Sequence, residues 1–325
     1  MKRVIKPTGQ FNIEIEEVPM PEPGPGEVRI KAVCSLISRG SEIGARYTRE
    51  YAVSPEIMGY SLAGVIDALG EGVDCYAVGD RVVALAPHAE YVVRPAVLSA
   101  PQDQPQVVAM LPGVEFDAAP YWPLVSGAVT WVDIEEIGPN HTVVILGQGL
   151  VGSLMLQVAK HNGKGRIIAV DALESRCTLA EELGADAVVN AAEEDPIAAV
   201  RRLTAGAGVD IVVYAVGGPA GVKAFDQGLD MLAVGGLLHL IGLYEDAPLP
   251  LMSGKIQRRK ILGGYYGQGI GSGTARRAME LLQAGIIQTE RMTTHRFPFF
   301  EAGKAFDLLY NNMDEALGVL LDWEE

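Results

Sequence analysis

Cysteine is scarce in this sequence. Three thiols, Cys34, Cys75 and Cys177, in 325 residues are too few and too scattered for a disulfide framework or a four-thiolate metal site. A reducing cytoplasm is the compartment they fit. Basic residues are outnumbered: 26 Lys and Arg against 41 Asp and Glu leave a net charge of −15. Such a surface repels phosphate backbones, so no nucleic-acid partner is expected. No run reaches the roughly 18 apolar residues that span a bilayer, and the opening MKRVIKP has no apolar signal core. A soluble protein without membrane contact is the expectation. Hydrophobic residues at 49% and charged residues at 21% also exclude a disordered, collagenous or coiled-coil chain.

Glycine is plentiful, at 38 residues, which suits many tight turns and close backbone approaches. The length predicts about two domains. The first third reads as short strands with frequent punctuation: FNIEIEEV (11–18), VRIKAV (28–33), SLAGVIDALG (61–70), DRVVALA (80–86) and AEYVVRP (89–95). That spacing suggests a barrel-like β unit. From residue 142 strands and helices alternate: TVVILG (142–147), a helix over 150–163, RIIAVDA (166–172), helices over 175–185 and 195–206, VDIVVYAVGG (209–218), a helix over 221–236 and LLHLIGL (237–243). This alternation predicts a parallel sheet covered on both faces.

The stretch ILGQGLVG sets Gly147, Gly149 and Gly152 in a G-x-G-x-x-G pattern, after an apolar strand and at the start of a helix. In that context the first glycine permits a tight turn, the second admits a pyrophosphate to the backbone, and the third lets helix and strand pack closely. The helix start, Leu150 and Val151, then faces the anion with its partial positive charge. Asp171 ends the next strand, nineteen residues after Gly152. A carboxylate there accepts the adenosine ribose hydroxyls and repels a 2′-phosphate, so NAD is the expected cofactor.

These segments together resemble the medium-chain dehydrogenase/reductase superfamily. PEPGPGEVRIKAV, MGYSLAGVIDALGEGV, VGDRVVALAPHAEYVVRP, ILGQGLVG, AEELGADAVVN, GVDIVVYAVGG, LAVGGLLHLIG and RMTTHRFPFFEAGKAFDLL follow the family order over nearly the whole chain. SLISRGSE (35–42) is similar to a subgroup that includes the hydroxyethyl-bacteriochlorophyllide dehydrogenases and many "zinc-binding alcohol dehydrogenases". The resemblance implies an α/β fold: a GroES-like β-barrel catalytic domain (1–122 and 268–325) around an inserted Rossmann domain with a doubly wound parallel sheet (123–267). It also implies a homodimer or homotetramer, paired through the last Rossmann strand, KILGGYY (260–266).

The departures from the family pattern matter as much. Where zinc-dependent members place a ligand cysteine, histidine and a third Cys or Glu, this chain has Ser38 (or Arg39), Tyr60 and Trp122. Such side chains do not make a tetrahedral zinc site, so no metal is expected. The resemblance directs Tyr60 and His88 toward the substrate, with Ser41 and Ser38 as relay hydroxyls. A phenol or an imidazole there could donate a proton. Equally, Tyr60 could fill vacated volume and His88 could be a satisfied core residue. Trp122, with Tyr60 and His88, is expected to line the substrate pocket. Ser126, Val216, Gly217, Ile241 and Gly242 are expected to border the nicotinamide side. Arg39 is a candidate for the pyrophosphate and Arg176 for the adenine face, with surface roles open for both. His239 and His295 read as structural.

The expected activity is zinc-independent, NAD-dependent hydride transfer between nicotinamide and a secondary alcohol or ketone, the alcohol being a polyol, cyclitol, sugar-like or ring alcohol. Reduction of quinone or enone C=C bonds, or a non-catalytic dinucleotide sensor, remains an alternative.

Overall fold

The computed structural model describes residues 1–97, 104–162, 165–243, 247–265 and 269–324. The chain divides into two compact units, Met1–Ser126 with Ile270–Glu325, and Gly127–Gly269.

The first unit opens with the antiparallel pair β1 (Lys2–Ile5) and β2 (Glu14–Glu17). The expected strand over 11–18 is cut short because Phe11 takes a left-handed backbone, φ 59°, which ends an extended run. There follow β3 (Glu27–Leu36), a wide helical turn over Arg39–Tyr47, β4 (Leu62–Leu69), β5 (Arg81–Ala84), β6 (Tyr91–Pro95) and β7 (Val107–Ala109). β3 is the spine of this sheet. Val28, Ile30, Ala32 and Cys34 alternate inward along it, as a half-buried strand requires. It pairs with both β4 and β6.

Helix α1 (Trp122–Glu135) carries the chain into the second unit. There β8 (Thr142–Leu146), α2 (Leu150–His161), β9 (Arg166–Asp171), α3 (Glu174–Glu182), β10 (Ala187–Asn190), α4 (Pro196–Leu203), β11 (Val209–Tyr214), α5 (Gly221–Met231), β12 (Leu232–Leu240), α6 (Ser253–Ile256) and β13 (Lys260–Gly263) follow in turn. Every strand pairing is parallel, in the order β10-β9-β8-β11-β12-β13. This is the doubly wound arrangement, with its order reversing between β8 and β11. Val143, Val144, Ile145 and Leu146 of β8 are all buried, as a central strand covered on both faces must be. The chain returns to the first unit with α7 (Ser272–Gln283), α8 (Thr289–Met292), β14 (Thr293–Pro298), α9 (Ala302–Asn311) and β15 (Gly318–Asp322). β15 closes onto β3.

One boundary differs from the expectation of a helix over 221–236. The helix stops at Met231, and β12 already begins at Leu232, which is extended and pairs with Val209. Burial of Leu232 in the core outweighs the helical periodicity, and Gly235 at φ 87° absorbs the irregularity in the strand. The expected helix end at Gly163 and the end of KILGGYY at Tyr266 lie outside the described residues. Among the described residues, no helix is long and apolar enough to cross a membrane.

Candidate active site

In the second unit the glycine turn is built from backbone. Gly147 has φ 89°, and a Cβ there would press on the Ala215 carbonyl and the Val216 side chain at 3.0 Å. A Cβ on Gly152 would overlap the Gly147 carbonyl oxygen, so this position admits glycine alone. Gly149 faces open space and caps α2, which has no side-chain cap and no acidic residue in its first turn. The backbone N–H groups at Leu150 and Val151 therefore remain for an incoming anion.

Asp171 stands beside this turn. One carboxylate oxygen accepts from Gln148 N at 2.6 Å, and the other from Ala172 N at 2.7 Å and Leu173 N at 3.0 Å. The contact to Gln148 was not legible in the sequence, although Gln148 lies within the glycine pattern. It ties the acid to the loop that would hold the pyrophosphate. A carboxylate offers about four acceptor sites, so capacity remains for a ribose hydroxyl.

The carboxyl ends of β8, β11 and β12 meet at the same place. Ile241 N and Gly242 N both donate to Tyr214 O, at 3.1 and 2.7 Å. A Cβ on Gly242 would lie 2.7 Å from the Val216 carbonyl. Gly147, Val216, Ile241 and Gly242 are thus brought together at the sheet's reversal point, with Gly217 next along the chain, where ligands of this architecture bind. Arg176 is buried on α3, in the turn after Asp171.

The first unit gives a different picture of the expected catalytic residues. Tyr60 is half-buried at the turn before β4. Ser38 caps the wide helical turn, and Ser41 lies in its first turn, half-buried. His88, expected to face substrate, is instead fully enclosed. Its Nδ1 lies 2.8 Å from Ser35 Oγ, and its Nε2 lies 2.8 Å from Glu42 Oε2. Phe306 packs edge-on against the ring. With both nitrogens engaged in the core, His88 is corrected from a substrate-facing group to an interior one.

Trp122 is corrected likewise. It is fully buried, and its indole N–H donates to the Ala275 carbonyl at 2.9 Å, so it anchors α1 to α7 rather than lining a pocket. Ser126 is buried one turn later, its hydroxyl donating to Trp122 O at 2.9 Å. The exposed Arg39 directs its guanidinium toward the Leu309 carbonyl and the Met313 thioether. His239 is held in β12 between Glu135 at 2.7 Å and the Gly264 carbonyl at 2.8 Å, in keeping with a structural role.

A family model described as zinc-binding dehydrogenase matches residues 151–284. An L-threonine 3-dehydrogenase of Bacillus licheniformis is 30% identical over 345 residues, covering 95% of both chains. The chain belongs to the medium-chain dehydrogenase/reductase superfamily. A sorbitol dehydrogenase of Bacillus subtilis is 26% identical, covering 95% of this chain and 94% of its own. The solved structure of an alcohol dehydrogenase from Thermus sp. ATN1 superposes with a TM-score of 0.83 at 25% identity, covering 99% of each chain. The α/β architecture of a GroES-like unit with a Rossmann sheet is therefore that of the medium-chain alcohol dehydrogenases, and the protein is an oxidoreductase of that superfamily.

Zinc is implied by the family, but the residues here do not fit it. The positions that the resemblance sets against the zinc ligands carry a hydroxyl at Ser38 (or the guanidinium of Arg39), a phenol at Tyr60 and the committed indole of Trp122. Cys34 is buried with its thiol donating to Phe116 O at 3.0 Å, and burial pushes its pKa up, against the thiolate a metal needs. Among the described residues, no three His, Cys, Asp or Glu side chains converge on a point.

Proposed function

We propose that this medium-chain dehydrogenase transfers hydride between NAD and a secondary alcohol or ketone without zinc. In this reading residues 1–122 and 268–325 form the catalytic domain, and residues 123–267 form the Rossmann domain that holds the dinucleotide. The observation that carries the cofactor reading is the Asp171 carboxylate, fixed beside the glycine turn by the Gln148 N–H. It offers an acceptor to ribose hydroxyls and a repulsive charge to a 2′-phosphate, and Ala172, Leu173 and Glu174 supply no cation to offset it. Gly147, Gly149, Gly152, Leu150 and Val151 would hold the pyrophosphate. Val216, Gly217, Ile241 and Gly242 would border the nicotinamide.

When bound, NAD would supply the hydride acceptor, or in the reverse direction the donor, for the carbinol carbon. The chain's own task is the proton. In alcohol oxidation the hydroxyl proton must leave as the C–H bond breaks. In the zinc enzymes a metal stabilises the developing charge on oxygen. Here hydrogen-bond donors take that role. The Tyr60 phenol holds the reacting oxygen, and the Ser41 and Ser38 hydroxyls pass the proton onward. These polar groups suit a polyol, cyclitol, sugar-like or ring alcohol.

β13 lies at one end of the sheet order, its far side without a strand among the described residues. Pairing there across a two-fold axis would cover an exposed edge, and a dimer or tetramer by light scattering is the expected result.

The decisive test is titration with NAD and NADP, followed by turnover on a panel of secondary alcohols. NAD should bind more tightly and support oxidation. Equal affinities would remove the role given to Asp171. Enone reduction with NADPH and no alcohol oxidation would establish a C=C reductase, and binding without any hydride transfer would establish a sensor.

A further inference from the structure

The buried network around His88 has the order of a nucleophilic triad, hydroxyl, imidazole, carboxylate, but it cannot act as one. Ser35 Oγ is fully enclosed and already accepts the Trp323 indole N–H at 2.9 Å. The network leads elsewhere, along two paths.

The first path runs through Glu42. One of its oxygens takes His88 Nε2, and the other accepts the Ser38 backbone N–H at 2.8 Å. Glu42 N donates back to Ser38 O at 2.9 Å. The segment from Ser38 to Glu42, which carries Ser41, is therefore closed by one backbone bond and by one bond from the Ser38 N–H to a carboxylate that His88 orients. The second path runs beneath Gly59. That residue has φ 101°, and a Cβ there would lie 2.7 Å from His88 N and 2.9 Å from two carbons of the ring. His88 N also donates to Met58 O at 2.7 Å. The turn that presents Tyr60 thus lies directly on the imidazole.

We propose that His88 is a positioning residue: one buried side chain sets the spacing between the Ser38–Ser41 segment and Tyr60 and takes no part in the proton transfer itself. The inference rests on the reading of Tyr60 and Ser41 as the groups that meet substrate. A donor at the place of Nε2 is what the site requires. Without it the buried Glu42 oxygen is left unpaired, which a carboxylate tolerates poorly.

Three variants of the whole chain separate the possibilities. His88→Gln keeps a donor long enough to reach Glu42. His88→Asn reaches only toward Ser35, and His88→Leu reaches neither. Expected for Leu and Asn is a loss of kcat of about tenfold or more, with the Kd for NAD unchanged. Gln should restore kcat to within about threefold of wild type, with the same pH profile. Amide exchange at Ser38 should quicken by about tenfold in Leu and Asn and stay near wild type in Gln. If Gln loses as much as Leu and a limb of the pH profile disappears, His88 carries the proton itself and the proposal fails. It fails also if Leu and Asn retain both kcat and Ser38 protection. If the wild type turns over no secondary alcohol, the functional reading fails, and the Ser38 exchange rates still decide whether His88 holds the segment.

Discussion

The two units each bury a histidine–glutamate pair, and the pairs differ in what the second carboxylate oxygen does. His88 and Glu42 stand 2.8 Å apart, His239 and Glu135 2.7 Å, all with fully enclosed side chains. Glu42 gives its other oxygen to the Ser38 amide. Glu135 Oε2 has no hydrogen-bond partner among the described residues, and burial pushes this carboxyl up against the pull of His239. The second pair is a closed clamp between α1, β12 and the Gly264 carbonyl. The first passes its orientation on to backbone that carries candidate proton groups. The same two side chains at the same distance do different work because of the third partner, not because of the pair.

The sharpest way to break the comparison is to remove the phenol. Tyr60→Phe should lower kcat by about 10²-fold, the effect of a lost acid–base group. The Kd for NAD should not move, since the glycine turn belongs to the other unit. Steady-state kinetics and cofactor titration read the two separately, and an equal loss in both would abolish the division of labour.

A smaller effect is expected at Asp171. Asp171→Ser removes the charge and the acceptor of the Gln148 N–H together. NAD binding should weaken, and the preference for NAD over NADP should fall by about tenfold or more. An unchanged preference would mean that discrimination is made by other residues.

The smallest effect is expected at Glu135, and it concerns stability. Its folded pKa is raised above the ordinary carboxyl value of 4.5. The native state therefore binds this proton more tightly than the unfolded chain does. The stability it contributes is present below that value and is lost as pH rises through the raised one. Glu135→Gln should flatten that dependence, changing unfolding free energy by about 1 kcal/mol in urea titrations run at several pH values. Activity per folded molecule should stay level, in contrast to the variants at His88.

What the sequence made legible divides along the same line. The parallel sheet and the glycine turn are backbone features, and they announce themselves in apolar strand runs and in glycines at positions where a side chain would clash. Helix α1 was not anticipated, because Trp122–Glu135 is apolar on most sides and shows no amphipathic period. Strand β15 and the wide turn over Arg39–Tyr47 are too short for their apolar residues to single out one element type in the sequence. The enclosure of His88 was beyond reach for a different reason. Its partners Ser35 and Glu42 are 53 and 46 positions away in the chain, and no local spacing encodes such a meeting. Trp122 was misplaced in the same way, its indole partner Ala275 lying 153 positions on.

On the proposed function, the proton groups of the first unit do without a metal what zinc does in zinc-dependent dehydrogenases. The most direct test of this is metal analysis joined to turnover. The purified protein should be dialysed against a strong chelator, assayed for zinc, and then supplied with NAD and the alcohol it oxidises. The account predicts far less than one zinc per chain and a kcat unchanged by chelator or by added zinc. One zinc per chain, with activity lost on its removal and regained on its return, would contradict it.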